Sequence, residues 1–179
     1  ILFVGRLERR KGIDLLLHAA TQLIPLFPNV DFVLVGKDTP YTDNDTTYRE
    51  AFTKEYQDRP DILDRVNFVG QASEADLYQY YSDCDIFCLP SRYESFGLVL
   101  VEAMQFAKPV VATAVGGMQE IVREGVNGSL VAPEDASALT VALRRLIEDG
   151  DLRRNFGRRS REIFVEQFSS EIMVTNTLA

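Results

Sequence analysis

The sequence contains no tryptophan, one histidine and only two cysteines among 179 residues. Two cysteines cannot build a disulfide framework, and Cys84 and Cys88 do not fit a zinc-binding pattern. Their spacing places both on one face of a strand, so we interpret them as small core hydrophobes in a reducing compartment. The single histidine, His18, lies in the middle of a helical pattern. We expect it to be a surface or half-buried side chain rather than a catalytic base.

Long apolar segments and an excess of positive charge are also missing. No apolar run approaches the roughly 20 residues that span a bilayer, and the first residues contain no secretory signal, so we expect a cytoplasmic protein. The 19 Lys and Arg residues are outnumbered by 27 Asp and Glu, which gives a net charge of −8. This balance argues against a nucleic-acid-binding face but allows a local cationic site.

Length and composition fit one domain. A chain of 179 residues that is 46% hydrophobic can bury a sizeable core. It starts in a strand pattern at Ile1 and stops in a helical pattern at Ala179. We therefore expect residues 1–179 to form a single domain that is a piece of a longer chain.

Short apolar runs alternate with helical patterns along the chain. The apolar runs are Ile1–Gly5, Asp31–Gly36, Arg65–Gly70, Asp85–Leu89, Pro109–Ala114 and Gly128–Val131. The helical patterns are Ile13–Phe27, Ser73–Tyr81, Gly97–Phe106 (apolar almost all round), Ala136–Glu148 and Leu152–Phe168, with a polar loop and short helix in Lys37–Asp61. Because strands buried on both faces show little polar alternation, we predict an α/β fold. It is a Rossmann-like, doubly wound, mostly parallel sheet in a three-layer α/β/α arrangement.

A cluster of cations follows the first predicted strand, at Gly5–Gly12. Ligands of open α/β sheets bind at the carboxyl ends of the strands, where this turn lies. Gly5 allows a close approach of the backbone. Arg6 can contact a phosphate with two N–H groups, and Lys11 adds a point charge at the mouth of the next helix. A solvated turn explains the same residues, so the cluster alone leaves both interpretations open.

Two glutamates eight positions apart, Glu94 and Glu102, follow the fourth predicted strand. Glu102 falls in an apolar helix, where a bare carboxylate is costly unless a ligand hydroxyl or an internal cation satisfies it. Glu94 precedes the free N–H groups expected at Phe96, Gly97 and Leu98. One acceptor beside several donors suits a polyol that carries a phosphate. A capping glutamate and a buried ion pair are the alternative.

Paired glycines, Gly116 and Gly117, follow the fifth predicted strand. They suit a tight turn with exposed amides near a ligand, and they equally suit an ordinary turn. Neither the Rossmann dinucleotide pattern nor a P-loop occurs in the sequence.

Together these segments resemble one protein family. The segments Val4–Leu7 with Lys11–Gly12, Glu94–Met104 and Gly116–Glu120 resemble, in this order, the C-terminal domain of retaining glycosyltransferases of the GT-B fold, in group 1 (family 4). The resemblance covers nearly the whole chain and is most specific in the glutamate segment. It implies the donor-binding half of an enzyme that moves a hexosyl group from a UDP- or GDP-sugar to an acceptor hydroxyl.

The resemblance implies a role for each matching residue. Arg6 and Lys11 would hold the donor diphosphate and stabilise the leaving nucleotide, and Glu94 would bind the sugar hydroxyls beside the reacting face. Glu102 would accept hydrogen bonds from the ribose. Further donor contacts would come from Gly5, Ser95 (where the family commonly has Gly or Pro), Phe96, Gly97, Leu98, Gly116 and Gly117, with the base near Val69, Gly70 and Gln71.

The resemblance also implies which partners to expect. No metal is expected because protein cations neutralise the diphosphate, and the acceptor would bind to an N-terminal domain outside these residues. The isolated domain should bind a donor without turning it over. A non-catalytic sugar-nucleotide-binding module and a GT-B-like epimerase or phosphorylase remain alternatives. The arginines of the last predicted helix fit either a solvated face or a patch for peripheral membrane association: Arg153, Arg154, Arg158, Arg159 and Arg161.

Overall fold

The structure, a computed structural model, describes residues 1–41 and 46–168. Residues 42–45 of the predicted loop and the helical pattern that ends at Ala179 lie outside the described residues. The strands are β1 (Leu2–Val4), β2 (Phe32–Val35), β3 (Val66–Gly70), β4 (Phe87–Leu89), β5 (Val110–Thr113) and β6 (Gly128–Val131). They form one parallel sheet in the order β3-β2-β1-β4-β5-β6.

Helices connect the strands and cover the sheet. They are α1 (Ile13–Leu23), α2 (Tyr48–Glu55), α3 (Pro60–Leu63), α4 (Glu74–Asp83), α5 (Leu98–Gln105), α6 (Met118–Ile121), α7 (Ala136–Glu148) and α8 (Gly150–Ile163). A 3-10 turn at Arg9–Lys11 precedes α1, and a π-helical turn at Phe164–Phe168 follows α8. Helix α1 packs against α7, and α5 packs against α8. The predicted Rossmann-like α/β/α architecture is confirmed.

The strands lie where the apolar runs predict them. Five of the six are shorter than their runs by one or two residues. The whole of β4 is buried, since it has a strand on either side and helices over its faces. Strand β3 lies at the edge of the sheet, where Asn67 is exposed.

Side-chain caps set the start of several helices. Thr47 caps α2 in a capping box with Glu50, and Ser73 caps α4 by accepting a hydrogen bond from the N–H of Asp76, as its position predicts. Three short elements have no counterpart in the predicted pattern: the turn Arg9–Lys11, α3 and α6. An element of four residues or fewer is too short to show helical periodicity in the sequence.

Helix α5 is buried on one side only, although its sequence is apolar almost all round. Leu100, Ala103 and Met104 are fully buried, but Leu98 is 61% exposed. The exposed residue lies at the start of the helix, next to the carboxyl edge of the sheet.

The arginine-rich face of α8 is paired with local partners. Arg158 and Arg159 both contact Glu162. Arg153 donates to carbonyl groups at the end of α7, and Arg161 donates to the last carbonyl group of α5. These contacts favour an internally paired, solvated face, and membrane association stays a prediction. In the described ranges, no helix is both long enough and apolar enough to cross a bilayer.

Cys88 belongs to the core, as predicted, and Cys84 packs against it. The prediction that both lie on one face of a strand is wrong, because Cys84 is the C-cap residue of helix α4 and only Cys88 lies in β4. Cys88 is completely buried, and Cys84 is half-buried with its thiol 3.5 Å from the carbonyl oxygen of Tyr81. Burial raises the pKa of the Cys84 thiol to about 11 and raises the pKa of Cys88 as well.

We expect both thiols of the native protein to react slowly with a coloured disulfide reagent, because only the thiolate is nucleophilic. At pH 8, Cys84 with its pKa of about 11 is roughly a hundredfold less ionised than an ordinary thiol with a pKa of ~8.5. The rate of this reaction should rise with pH, and unfolding should expose both thiols to the reagent. A native thiol that reacts in seconds at pH 7 contradicts this expectation, and a Cys84→Ala variant assigns the remaining signal to Cys88.

Candidate functional site

The strand order brings the ends of β1 and β4 together. The two strands are neighbours, but the chain leaves β1 toward β2 and leaves β4 toward β5. Their loops therefore diverge at the carboxyl edge of the sheet, which is the position where open α/β sheets bind ligands. Gly5, directly after β1, donates its N–H to the Val35 carbonyl group at 2.9 Å. The basic turn and the glutamate segment thus meet at one point of the fold.

The β1–α1 turn is pressed against the β4–α5 loop. Gly12, with a φ of 72°, lies against the Pro90 carbonyl oxygen, and any Cβ there would overlap that oxygen. The backbone N–H of Arg92 donates to the Arg10 carbonyl group at 2.8 Å. Both neighbours of Lys11 in the chain are therefore anchored to the other loop.

Lys11 and Glu94 form an ion pair between the two loops. Their side chains are only 16% and 14% exposed, so the pair is largely withdrawn from water. Pairing offsets the cost of desolvating either charge. An ammonium group has three donors and a carboxylate has several acceptor positions, so both groups keep capacity for a ligand.

Arg6 lies outside this pair. Its side chain is 59% exposed and contacts Glu8 at 3.3 Å, and Glu8 also contacts Arg10 at 2.9 Å. One carboxylate therefore balances two cations of the turn. The structure brings Lys11 and Glu94 together and places Arg6 on the solvent side.

Helix α5 begins without a side-chain cap. Gly97 occupies the N-cap position, and the first turn contains no acidic residue. The first N–H groups of a helix have no acceptor within it, so those at Gly97 and Leu98 are suited to an anion. Of the residues that lead into the helix, Ser95 is exposed and Phe96 is half-buried against Phe168, with ring centroids 6.2 Å apart.

The paired glycines hold the β5–α6 turn against the Glu94 loop. Gly116, with a φ of 50°, lies against the Glu94 carbonyl oxygen, where a Cβ would overlap. The N–H of Gly117 donates to the Ser95 carbonyl group at 3.3 Å. The Gly117 amide is therefore used to anchor the loop that carries Glu94.

Glu102 is half-buried between α4 and α5, and a tyrosine satisfies it. The Tyr81 hydroxyl donates to Glu102 Oε2 at 2.7 Å. The internal partner is thus a neutral hydroxyl and not an internal cation. Burial and this hydrogen bond raise the pKa of Tyr81, so the hydroxyl stays a donor. The other oxygen of Glu102 accepts no hydrogen bond from the described residues.

The residues predicted to lie near a base are found at the end of β3, two strands away from β1. The Gly70 carbonyl group accepts the Gly36 N–H at 2.8 Å, Val69 is half-buried and Gln71 is exposed. Neighbouring strands are roughly 4.8 Å apart, so these residues lie about 10 Å from the end of β1.

Arg92 is a site residue that the sequence patterns do not single out. Its side chain is 15% exposed and contacts both carboxylate oxygens of Asp14, at 2.6 and 2.8 Å, and both of Glu134. These bonds raise its pKa, so its charge is permanent. The partners are 78 and 42 positions away in the chain, and no local spacing reveals such a contact.

A cavity of about 370 Å³ lies at the opposite edge of the sheet, bordered by Leu2, Asp31 and Ile86 among others. It contains none of the predicted site residues, and α/β folds bind ligands at the other edge. In residues 1–41 and 46–168, no group of three or more His, Cys, Asp or Glu side chains is arranged to hold a metal ion. Metal independence stays a prediction.

The chain belongs to the group 1 glycosyltransferases. Residues 1–163 match the family described as Glycosyl transferases group 1. The family predicted from the glutamate segment is confirmed, and the chain forms one Rossmann-like half of a GT-B fold.

Individual relatives agree with this assignment. The D-inositol 3-phosphate glycosyltransferase of Corynebacterium urealyticum is 37% identical over 151 residues, which are 84% of this chain and 35% of that protein. Sucrose-phosphate synthase from Thermosynechococcus elongatus is 37% identical with a TM-score of 0.82, over 99% of this chain and 43% of that one. Anabaena Alr3699/HepE, solved in complex with UDP and glucose, is 31% identical with a TM-score of 0.83, over 99% and 47%. The chain therefore spans less than half the length of these relatives.

We expect Tyr81→Phe to lower the free energy of unfolding by about 1–3 kcal/mol, because Glu102 loses its internal donor. Tyr78→Phe is a matched control. It removes a hydroxyl that binds Glu74 at 2.7 Å on an exposed surface, and it should cost less than about 0.5 kcal/mol. Urea denaturation measures both variants, and equal losses would contradict an internal role for Tyr81.

The same variants test the raised pKa of Tyr81. In the unfolded chain the hydroxyl ionises near its ordinary value of 10, whereas the folded protein retains the proton. The stability that this group contributes is therefore complete below that value and is lost as the pH rises above it. The wild type should lose stability more steeply than Tyr81→Phe above pH 10, and identical slopes would show that folding does not shift the pKa.

Proposed function

We propose that this chain is the C-terminal, donor-binding half of a retaining glycosyltransferase, which moves a hexosyl group from a nucleoside-diphosphate sugar to an acceptor hydroxyl. The main observation behind this proposal is the Lys11–Glu94 pair. It sets a cation suited to phosphate beside a carboxylate suited to sugar hydroxyls, in the loops next to the uncapped start of α5.

The donor would extend from this pair toward β3. Lys11 and the N–H groups at Gly97 and Leu98 supply the positive ends that a diphosphate requires. The second oxygen of Glu102 is suited to ribose hydroxyls, and the base would lie near Gln71. In this arrangement, Glu94, Lys11, Glu102 and Gln71 would take the sugar, the diphosphate, the ribose and the base of the donor in turn.

The chemistry would depend on charge and orientation. Negative charge that develops on the leaving nucleoside diphosphate would be stabilised by Lys11 and Arg6, so the proposal requires no metal. Arg6 would exchange Glu8 for a phosphate oxygen, a small loss because exposed ion pairs contribute about 0–1 kcal/mol. Glu94 would hold the sugar hydroxyls beside the reacting carbon.

The relatives support a sugar-nucleotide donor. The Anabaena protein was solved with UDP and glucose, and the Corynebacterium relative is a glycosyltransferase by name. Because this chain spans less than half of each relative, we assign acceptor binding to a separate N-terminal half and expect the isolated domain to be inactive. A cytoplasmic location completes the proposal and rests on sequence alone.

We expect the full-length protein to bind UDP or GDP, and Glu102→Ala to weaken that binding at least roughly tenfold, as a hydrogen bond to a charged group is worth about 1.5–3 kcal/mol. Calorimetry measures both affinities. Glu148→Ala is the control, since it removes the same charge from the surface of α7, where Glu148 contacts Arg144. Unchanged affinity in Glu102→Ala counts against the ribose role, and binding of neither nucleotide overturns the donor proposal.

Glu94→Gln in the full-length enzyme should lower kcat by roughly a hundredfold, because the neutral amide orients the sugar poorly. The affinity for UDP, which has no transferable sugar, should change by less than about threefold. Release of nucleoside diphosphate measures turnover, and NMR of the product reports the anomeric configuration. An inverted anomer would disprove the retaining mechanism, and donor binding without any turnover would favour a non-catalytic module.

A further inference from the structure

The guanidinium group of Arg92 links three loops at the carboxyl edge of the sheet. All five of its N–H groups have acceptors: both oxygens of Asp14 in α1, both of Glu134 in the β6–α7 loop, and the carbonyl group of Arg9. The backbone N–H of Arg92 also donates to the carbonyl group of Arg10 at 2.8 Å. A filled set of donors leaves none for a substrate, so Arg92 can act only through the residues that it holds.

These bonds lie next to the Lys11–Glu94 pair on both sides. The two carbonyl groups that Arg92 binds belong to the residues directly before Lys11. In its own loop, Arg92 stands two positions before Glu94. The separation of Lys11 from Glu94 therefore depends on how Arg92 joins the two loops.

Two carboxylates orient the guanidinium group itself. The Arg92 side chain is 15% exposed, against 57% for Glu134, so the cation is the buried partner and needs its carboxylates to offset desolvation. Glu134 has a φ of 63°, a left-handed conformation that side chains rarely adopt. Such conformations persist where surrounding contacts fix them, and the two-oxygen contact with Arg92 is such a constraint.

We propose that Arg92 is a positioning residue of the donor site, which clamps the Arg9–Lys11 turn onto the β4–α5 loop and so sets Lys11 against Glu94. The effect of the clamp on donor binding rests on the proposed function, whereas the existence of the clamp rests on the contacts alone. Arg92→Lys keeps the charge but places all donors on one nitrogen, which cannot serve two carboxylates and a carbonyl group in a planar fork. This variant therefore loosens the clamp without leaving both carboxylates unpaired.

The clamp is tested without ligand, in the full-length protein. Urea denaturation of Lys11→Met, Glu94→Gln and the double variant gives the coupling energy between Lys11 and Glu94. The same cycle is measured twice, once with Arg92 and once with Arg92→Lys. We expect the two changes to be non-additive in the wild-type background and close to additive with Arg92→Lys. Non-additivity of equal size in both backgrounds would overturn the proposal.

Two further variants separate a clamp from a general loss of stability. Arg153→Lys is the matched control, because Arg153 also donates to two backbone carbonyl groups, those of Leu146 and Ile147 in α7. It should lower the midpoint and leave the coupling intact. Glu134→Gln keeps Arg92 and weakens one of its contacts, so it should reduce the coupling in part, and it decides the question if Arg92→Lys does not fold. Full coupling in Glu134→Gln would then count against the clamp.

The donor role is tested with UDP by calorimetry. Arg92→Lys should weaken UDP binding on the order of tenfold, because small displacements of a positioned group are costly. It should add almost nothing to Lys11→Met, since Arg92 acts through Lys11. A full tenfold further loss in the double variant would indicate direct contact and overturn the positioning role. If the wild type binds neither UDP nor GDP, the proposed function fails, while the ligand-free coupling still decides whether the clamp exists.

Discussion

The adjacency of β1 and β4 in the centre of the parallel sheet is the constraint on which the site depends. All strands run in the same direction, so every loop that follows a strand emerges at one edge. Only between β1 and β4 do two such loops turn away from each other. The contact of Gly12 with Pro90, the Lys11–Glu94 pair and the bond from Arg92 to Asp14 all cross this junction. Shifting either strand would separate these partners, although each lies in a different part of the sequence.

In this acidic chain, several cations near the junction are paired with carboxylates. Lys11 has Glu94, Arg92 has Asp14 and Glu134, and Arg6 shares Glu8. For Lys11 and Arg92, which are largely buried, this pairing lowers the cost of keeping the cation apart from bulk water when no anion is bound. The positive end of α5 is different, since its first turn has neither a side-chain cap nor an acidic residue. An incoming anion would therefore share Lys11 with Glu94 while it meets the helix terminus without competition from a side chain.

The sequence predicted the architecture well because buried parallel strands and amphipathic helices have strong local patterns. The cations before Gly12 and the glutamate Glu94 also singled out two loops that the structure brings into contact, and their role in binding stays a prediction. The sequence could not predict partners that come from distant elements. Tyr81 satisfies Glu102 from α4, and the network around Arg92 combines residues from three loops. Neither contact has a periodicity or a spacing, because both exist only after the sheet has assembled. Short elements such as the turn Arg9–Lys11 were missed for a related reason: they depend on a tertiary contact, here with Arg92, rather than on a repeat.

On the proposed function, the exposure of the residues around Glu94 indicates which tasks this domain performs and which need another surface. Tyr93 and Leu98, which flank Glu94 in the chain, are 63% and 61% exposed. Transfer of a sugar to a hydroxyl other than water requires that water be kept from the reacting carbon. Of the groups that would bind and orient the donor, Lys11 and Glu94 are fixed within this chain by contacts that need no other surface. Tyr93 and Leu98 are open to solvent in this domain, so a surface that covers them would have to exclude water during transfer. Donor choice is therefore expected to follow the residues of this domain, and acceptor choice to follow the covering surface.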